Sequence, residues 1–182
     1  VSNPGPGTSA IWADYDSDGD QDLFVVNYLS SNAIYDNELQ YGFANTTGSS
    51  VLADIGPGTG ASWGDYDNDG DMDLYFANNG GIDMLCQYHA GAFSQILGQN
   101  LGNMDNTKSV AWGDFDNDGD LDLYMAKYGQ YDRILQNNNG SFSEMSLAWN
   151  ESGGNANGMA WADFDNDGKL DIYVANDNSS NV

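Results

Sequence analysis

Basic side chains are nearly missing from this 182-residue sequence: Lys108, Lys127, Arg133 and Lys169 stand against 28 acidic residues, for a formal charge of −24. Nucleic acid is therefore not an expected partner, because affinity for phosphates needs clustered Lys and Arg. Cysteine is reduced to Cys86, which rules out an internal disulfide framework and leaves any staple to another chemistry, with metal the obvious candidate. No apolar run approaches the roughly 20 residues that span a bilayer, so membrane insertion is not expected. The chain opens at Val1 with neither an initiator Met nor a signal-like apolar stretch, as a mature or excised segment would. His89 is the single histidine, so no Ser-His-Asp set can recur along the chain. Paired with Cys86 it makes a poor catalytic dyad, because a three-residue offset on a strand places the two side chains on opposite faces.

What the sequence does hold is aromatic and acidic together. Five Trp, eleven Tyr and seven Phe supply material for packed cores that an acidic disordered chain would lack. The acids are 25 Asp and only three Glu, and Asp favours turns and metal loops over helices and strands.

Four segments repeat: WADYDSDGDQDLFV from Trp12, WGDYDNDGDMDLYF from Trp63, WGDFDNDGDLDLYM from Trp112 and WADFDNDGKLDIYV from Trp161. Their first aspartates, Asp14, Asp65, Asp114 and Asp163, lie 51, 49 and 49 residues apart, the size of one four-stranded propeller blade. Each acidic loop is entered by a short apolar stretch such as Ser9 to Trp12 and left by an alternating run such as Leu23 to Tyr28, and both read as strands. A third run (Ala33 to Tyr35, Met84 to Cys86, Arg133 to Leu135) and a fourth opened by Phe43, Phe93 or Phe142 complete four strands per unit. No segment has a helical apolar stripe, so almost no helix is expected. The expectation is an all-β fold: a single repeat domain over 1–182 with units of about 9–58, 59–107, 108–156 and 157–182. The last unit stops after two strands, giving a propeller-like array of about three and a half blades, open or completed by a partner chain.

Within each loop Asp occupies positions 1, 3, 5 and 9, and Gly position 6. The sets are Asp14, Asp16, Asp18 and Asp22; Asp65, Asp67, Asp69 and Asp73; Asp114, Asp116, Asp118 and Asp122; and Asp163, Asp165, Asp167 and Asp171. Side chains at odd positions of a tightly curled loop converge, and calcium takes six to eight oxygens. Position 9 is best placed to give both carboxylate oxygens. Position 7 is Asp20, Asp71, Asp120 or Lys169; the lysine points to the backbone carbonyl there as the ligand. Position 2 (Tyr15, Tyr66, Phe115, Phe164) is expected in packing and position 4 (Ser17, Asn68, Asn117, Asn166) in a turn facing water. Carboxylates at 4 Å repel by roughly 4 kcal/mol per pair at an effective dielectric near 20, so an empty loop should splay and about four calcium ions become a condition of folding.

Position 12, where an EF-hand needs a bidentate Glu, is Val25, Phe76, Met125 or Val174 inside an expected strand. Dockerin-type and thrombospondin-type loops place Asp there and do not match either. The segments instead resemble the FG-GAP repeat of integrin α-chain propellers and, most nearly, its bacterial VCBS-like form, with W-G-D-F-D-N-D-G-D-L-D-L followed by N-x-G-x-F. The third repeat has both halves, Trp112 to Leu123 and Gln136 to Phe142. The resemblance implies calcium-bound β-propeller blades. The expected role is a secreted or cell-surface module for adhesion, ligand binding or assembly, without catalytic activity. Its partners would be a protein or glycan ligand, or further copies through open sheet edges. A lectin-like binder, or the non-catalytic propeller part of a larger secreted enzyme, are the alternatives. The tryptophans at fixed offset before each loop are expected to pack between units, and Trp149, outside that register, to be an exposed contact. Sequons begin at Asn45, Asn139, Asn150 and Asn178.

Overall fold

The computed structural model describes residues 3, 5–38, 41–46, 55–98, 101, 104–145 and 154–177; Trp149 and the sequons at Asn150 and Asn178 lie outside them. Among the described residues regular structure is β throughout. The first unit holds β1 (Gly7–Ala13), β2 (Asp22–Asn27), β3 (Ala33–Asn37) and β4 (Phe43–Asn45). The second holds β5 (Gly58–Gly64), β6 (Asp73–Ile82), β7 (Met84–His89) and β8 (Ala92–Ile96). The third holds β9 (Met104–Gly113), β10 (Asp122–Gln130), β11 (Arg133–Asn138) and β12 (Ser141–Met145), and the fourth β13 (Gly154–Ala162) and β14 (Asp171–Asn176). No helix among them is long and apolar enough to cross a membrane.

Each unit is an antiparallel meander in chain order, with the acidic loop linking its first two strands. Consecutive units touch through backbone as well as side chains. The far end of β6 pairs with the start of β9, as in Asn79↔Asn106, and the far end of β10 with the start of β13, as in Tyr128↔Asn155. A single bridge, Tyr28↔Pro57, does the same between the first two units. Thr8 and Thr59 add hydroxyl donors to the next unit's Gly58 and Thr107 carbonyls, at 2.9 and 2.7 Å. No strand pairing joins the fourth unit to the first among the described residues, so the fold is an open propeller-like array.

A lone four-stranded sheet has no second layer to bury its apolar face, and the cores here accordingly form between units. Tyr15, Phe24, Val26 and Ile34 of the first unit pack on Leu74, Phe76 and Cys86 of the second. Tyr66, Tyr75, Ala77 and Leu85 meet Leu123, Met125, Leu135 and Phe142 of the third. Tyr124, Ala126 and Ile134 meet Ala156 and Val174 of the fourth. The repeated tryptophan is at the centre of each junction. Trp63, Trp112 and Trp161 lie edge-on to Phe24, Tyr75 and Tyr124 at 6.1, 6.1 and 5.8 Å. Trp63 and Trp112 also stack on Tyr15 and Tyr66, at 5.8 and 6.3 Å. A side chain on Gly64 would come within 2.6 Å of the Trp112 ring, so glycine there lets the ring close on the backbone. Trp12 has no preceding unit among the described residues and is 53% exposed.

Identical residues in the repeat should therefore differ in energetic weight. Trp112→Ala should lower the free energy of unfolding by about 3 kcal/mol, as large aromatic deletions in packed sites do. Trp12→Ala should stay within about 0.5 kcal/mol, as for exposed positions. Urea-induced unfolding of both variants at low protein concentration checks the contrast.

Candidate metal centre

The four loops adopt one conformation. The position-6 glycines Gly19, Gly70, Gly119 and Gly168 have φ of 100, 95, 97 and 87°, a left-handed backbone that disfavours any residue with a Cβ. Position 4 is left-handed too, at φ 57 and 60° for Asn68 and Asn117, which suits Asn. The position-1 carboxylate caps the turn: Asp14, Asp65, Asp114 and Asp163 accept the glycine N–H at 3.2, 3.0, 3.1 and 3.0 Å. The N–H of Asp20, Asp71, Asp120 or Lys169 in turn donates to the position-5 carboxylate of Asp18, Asp69, Asp118 or Asp167, at 2.9 to 3.1 Å.

These bonds bring the expected ligands together. Carboxylate oxygens of positions 1, 3 and 9 lie within 4.8 Å of one another in Asp65, Asp67 and Asp73, in Asp114, Asp116 and Asp122, and in Asp163, Asp165 and Asp171. In the first loop the convergent set is Asp14, Asp16 and Asp18, with Asp22 buried beneath. Asp14 Oδ1 and Asp67 Oδ1 are buried and accept no hydrogen bond. A buried carboxylate oxygen without a donor is costly, and an all-oxygen, all-anionic set suits a hard divalent cation. The residues present thus fit a metal.

Position 9 is held hardest. Asp22 accepts the N–H of Asn37 and of Tyr15, at 2.8 and 3.3 Å. Asp73 accepts those of Tyr88 and Tyr66, at 2.9 and 3.3 Å, and Asp122 those of Asn137 and Phe115, at 2.8 and 3.1 Å. Among the described residues Asp171 has the loop contact alone, from Phe164 N–H at 3.1 Å. Burial pushes the Asp73 carboxyl up to about 7, with Asp67 and Asp69 adding to it and the two N–H donors opposing it. Burial likewise raises Asp22 and Asp122 to about 6, and raises Asp16 and Asp67 with help from their acidic neighbours.

Position-7 side chains are in none of the convergent loop sets, and Asp71 forms a separate group with Asp69 and His89. Asp120 accepts from Asn68 Nδ2 and Asn139 N–H, at 2.8 and 2.7 Å, while Lys169 is exposed with Nζ 4.0 Å from Asp167. The position-4 amides do more than face water. Asn68 reaches Asp120 of the third loop, and Asn117 donates to Gly168 O of the fourth at 3.1 Å, so adjacent loops are tied. Position-2 aromatics are packed in Tyr15 and Tyr66, but Phe164 is 77% exposed because no unit follows it among the described residues.

Sequence reasoning missed the third strand's part. Gln87 and Gln136 donate to the position-3 carboxylates of Asp67 and Asp116, both at 2.6 Å. Their recurrence 49 residues apart was the available signal. The first unit has Asp36 at this place, and burial together with Asp16 raises its carboxyl. Cys86 is buried in the first junction while His89 is exposed against Asp69 and Asp71, at 3.2 and 3.6 Å, so the two form no dyad.

The raised carboxyls give the metal-free protein an unusual pH dependence. Asp22, Asp73 and Asp122 hold protons up to about pH 6 to 7 when folded, against about 3.9 in an unfolded chain. Between those values the folded state binds more protons, so stability rises as pH falls. Thermal unfolding of chelator-treated protein should give a higher Tm at pH 5 than at pH 8.

The FG-GAP-like repeat pattern matches the chain three times, over residues 14–76, 65–125 and 114–174. No curated protein matches it. Since those matches run from the first acidic loop through the last strand, the chain belongs to the FG-GAP-like repeat family.

Proposed function

We propose that the four loops bind calcium and that the chain is a calcium-rigidified extracellular module for adhesion, ligand binding or assembly, with no catalytic role of its own. The observation that supports this best is the repetition of one preformed oxygen cluster, with the buried oxygens of Asp14 and Asp67 lacking any hydrogen-bond donor. Side chains at positions 1, 3, 5 and 9 and the carbonyl at position 7 would supply the six to eight oxygens that calcium takes. Four divalent ions would cancel a third of the formal charge of −24.

What the ion adds is mechanical. The loop closes the turn between the first two strands of each unit, and position 9 carries that fixation to the third strand through Asn37, Tyr88 or Asn137 N–H. A surface built on such units is held in shape at low entropic cost to a partner. With the Kd of about 10⁻⁴ to 10⁻³ M of extracellular modules, the loops would fill in calcium-rich surroundings outside a cell and stay empty in a calcium-poor cytosol.

A second reading, a lectin-like binder, is favoured by one cavity. Tyr15, Asp16, Asp36, Thr46, Tyr88 and Phe93 line about 520 Å³ at the first junction, joining aromatic faces to acidic acceptors as sugar sites do.

Calcium should raise Tm strongly relative to chelator, each site adding about 2.7 kcal/mol when calcium is 100-fold above its Kd. Isothermal titration should count about four ions, the number of acidic loops, and one fewer in Asp67→Asn. An unchanged Tm and no calorimetric binding would refute the calcium reading; glycan-array binding would favour the lectin one.

A further inference from the structure

Consecutive acidic loops touch one another, and the contact is made by a residue outside the ligand set. Asn68 Nδ2, at position 4 of the second loop, donates to Asp120 Oδ1 at 2.8 Å and to Gly119 O at 3.4 Å in the third. Asn117 Nδ2, at position 4 of the third, donates to Gly168 O of the fourth at 3.1 Å. The amide of one loop thus grips position 6 of the next and, in the first case, position 7 as well.

The gripped segment is the one that organises the receiving loop. In the third loop Gly119 N–H donates to Asp114 Oδ2 at 3.1 Å and Asp120 N–H to Asp118 Oδ1 at 2.9 Å. In the fourth, Gly168 N–H donates to Asp163 Oδ2 at 3.0 Å and Lys169 N–H to Asp167 Oδ1 at 2.9 Å. These two peptide groups aim the carboxylates of positions 1 and 5, and the position-7 carbonyl lies on the same backbone. On the giving side, Asn68 and Asn117 are left-handed at φ 57 and 60°. That turn is closed by the bonds from Asp69 N–H to Asp65 Oδ1 at 3.0 Å and from Asp118 N–H to Asp114 Oδ1 at 3.1 Å. A loop splayed by repulsion among its carboxylates carries its position-4 amide out of reach of the next loop.

We propose that Asn68 and Asn117 are positioning residues that couple the second, third and fourth loops, so that filling one raises the calcium affinity of its neighbour. Resting on the calcium reading of the loops, the coupling is mutual by thermodynamic linkage, and couplings between sites are commonly about fivefold or more. The first loop stands outside this set. Its position 4 is Ser17, left-handed at φ 62° like the others, but a serine hydroxyl lies one bond nearer the backbone than an amide nitrogen and falls short of the same gap. Charge alone would give the opposite sign, because an ion in one loop weakens the pull of the acidic array on the next ion. Added salt screens that effect and leaves the hydrogen-bonded coupling.

A calcium titration of the full chain at high salt, followed by two-dimensional NMR, tests it. Each position-6 glycine N–H is bonded to a position-1 carboxylate, so the amide signals of Gly19, Gly70, Gly119 and Gly168 report the four loops separately. Gly70→Val disables the second loop, since φ there is 95° and a β-branched side chain is strongly disfavoured at such an angle. It should weaken binding at Gly119 by about fivefold or more while Gly19 is unchanged. Asn68→Ser, which places the first loop's residue at the same backbone angle, should weaken Gly119 to a similar degree and Gly70 with it, again sparing Gly19. Combining the two substitutions should cost Gly119 nothing further, a non-additivity that general loosening of the fold would not produce. Should Gly70→Val fail to fold, Asn68→Ser decides alone, because its side chain is exposed. An unchanged Gly119 midpoint in Asn68→Ser overturns the proposal, as do additive effects or a parallel shift of Gly19. Calcium-insensitive signals at all four glycines in the wild type would remove the calcium reading itself, and the coupling with it.

Discussion

The position-9 aspartate is the constraint from which the rest follows. In Asp22, Asp73 and Asp122 one carboxylate oxygen accepts the N–H of the third strand and the other the N–H of the position-2 residue. That single buried group fixes where the acidic loop sits, where the end of the third strand lies, and where the position-2 backbone is held. The position-2 side chain is the platform on which the next unit's tryptophan stacks. Loop chemistry and unit-to-unit packing are thus two ends of one short chain of contacts, and a perturbed loop should be felt in the aromatic junction.

Charge gives the same device its cost. With four basic residues in the chain, there are few cations with which to balance the loops, and three of the four are used elsewhere. Lys127 and Arg133 are buried, Lys127 donating to Asp105 and Arg133 to Glu144 at 2.8 Å. Lys108 sits over the Tyr128 ring at 5.6 Å, and Lys169 is exposed on the fourth loop. The loop carboxylates therefore rely on backbone N–H groups, on neutral amides such as those of Gln87, Gln136 and Asn68, and on protons or an external cation. Backbone donors reach at least one oxygen at positions 1 and 9, but they leave Asp14 Oδ1 and Asp67 Oδ1 without a partner.

Much of this architecture was legible beforehand. The strand order within units, the four acidic loops and the role of Trp63, Trp112 and Trp161 in inter-unit packing follow from apolar alternation and a repeat near 50 residues. Other features were hidden because their partners lie in neighbouring units or strands. Asn68 and Asn117 read as ordinary turn residues, yet each donates to the next loop some 50 residues away. Gln87 and Gln136 stand just past the third expected run, at the head of the turn segment, and their reach to Asp67 and Asp116 depends on how the third strand passes the loop. Likewise Trp12 and Phe164 match their counterparts in sequence while being exposed at opposite ends of the array.

What the sequence by itself determined is everything set by short spacing: the ligand pattern within each loop, the glycine that allows its turn, and the strands on either side. These are local because a nine-residue loop closes on itself whatever surrounds it. What the tertiary structure alone decided is how one unit rotates onto the next, and hence which aromatic faces are covered at the junctions and which amides bridge loops. Those outcomes depend on the relative placement of sheets about 50 residues apart in the chain, and no local pattern encodes an angle between two sheets.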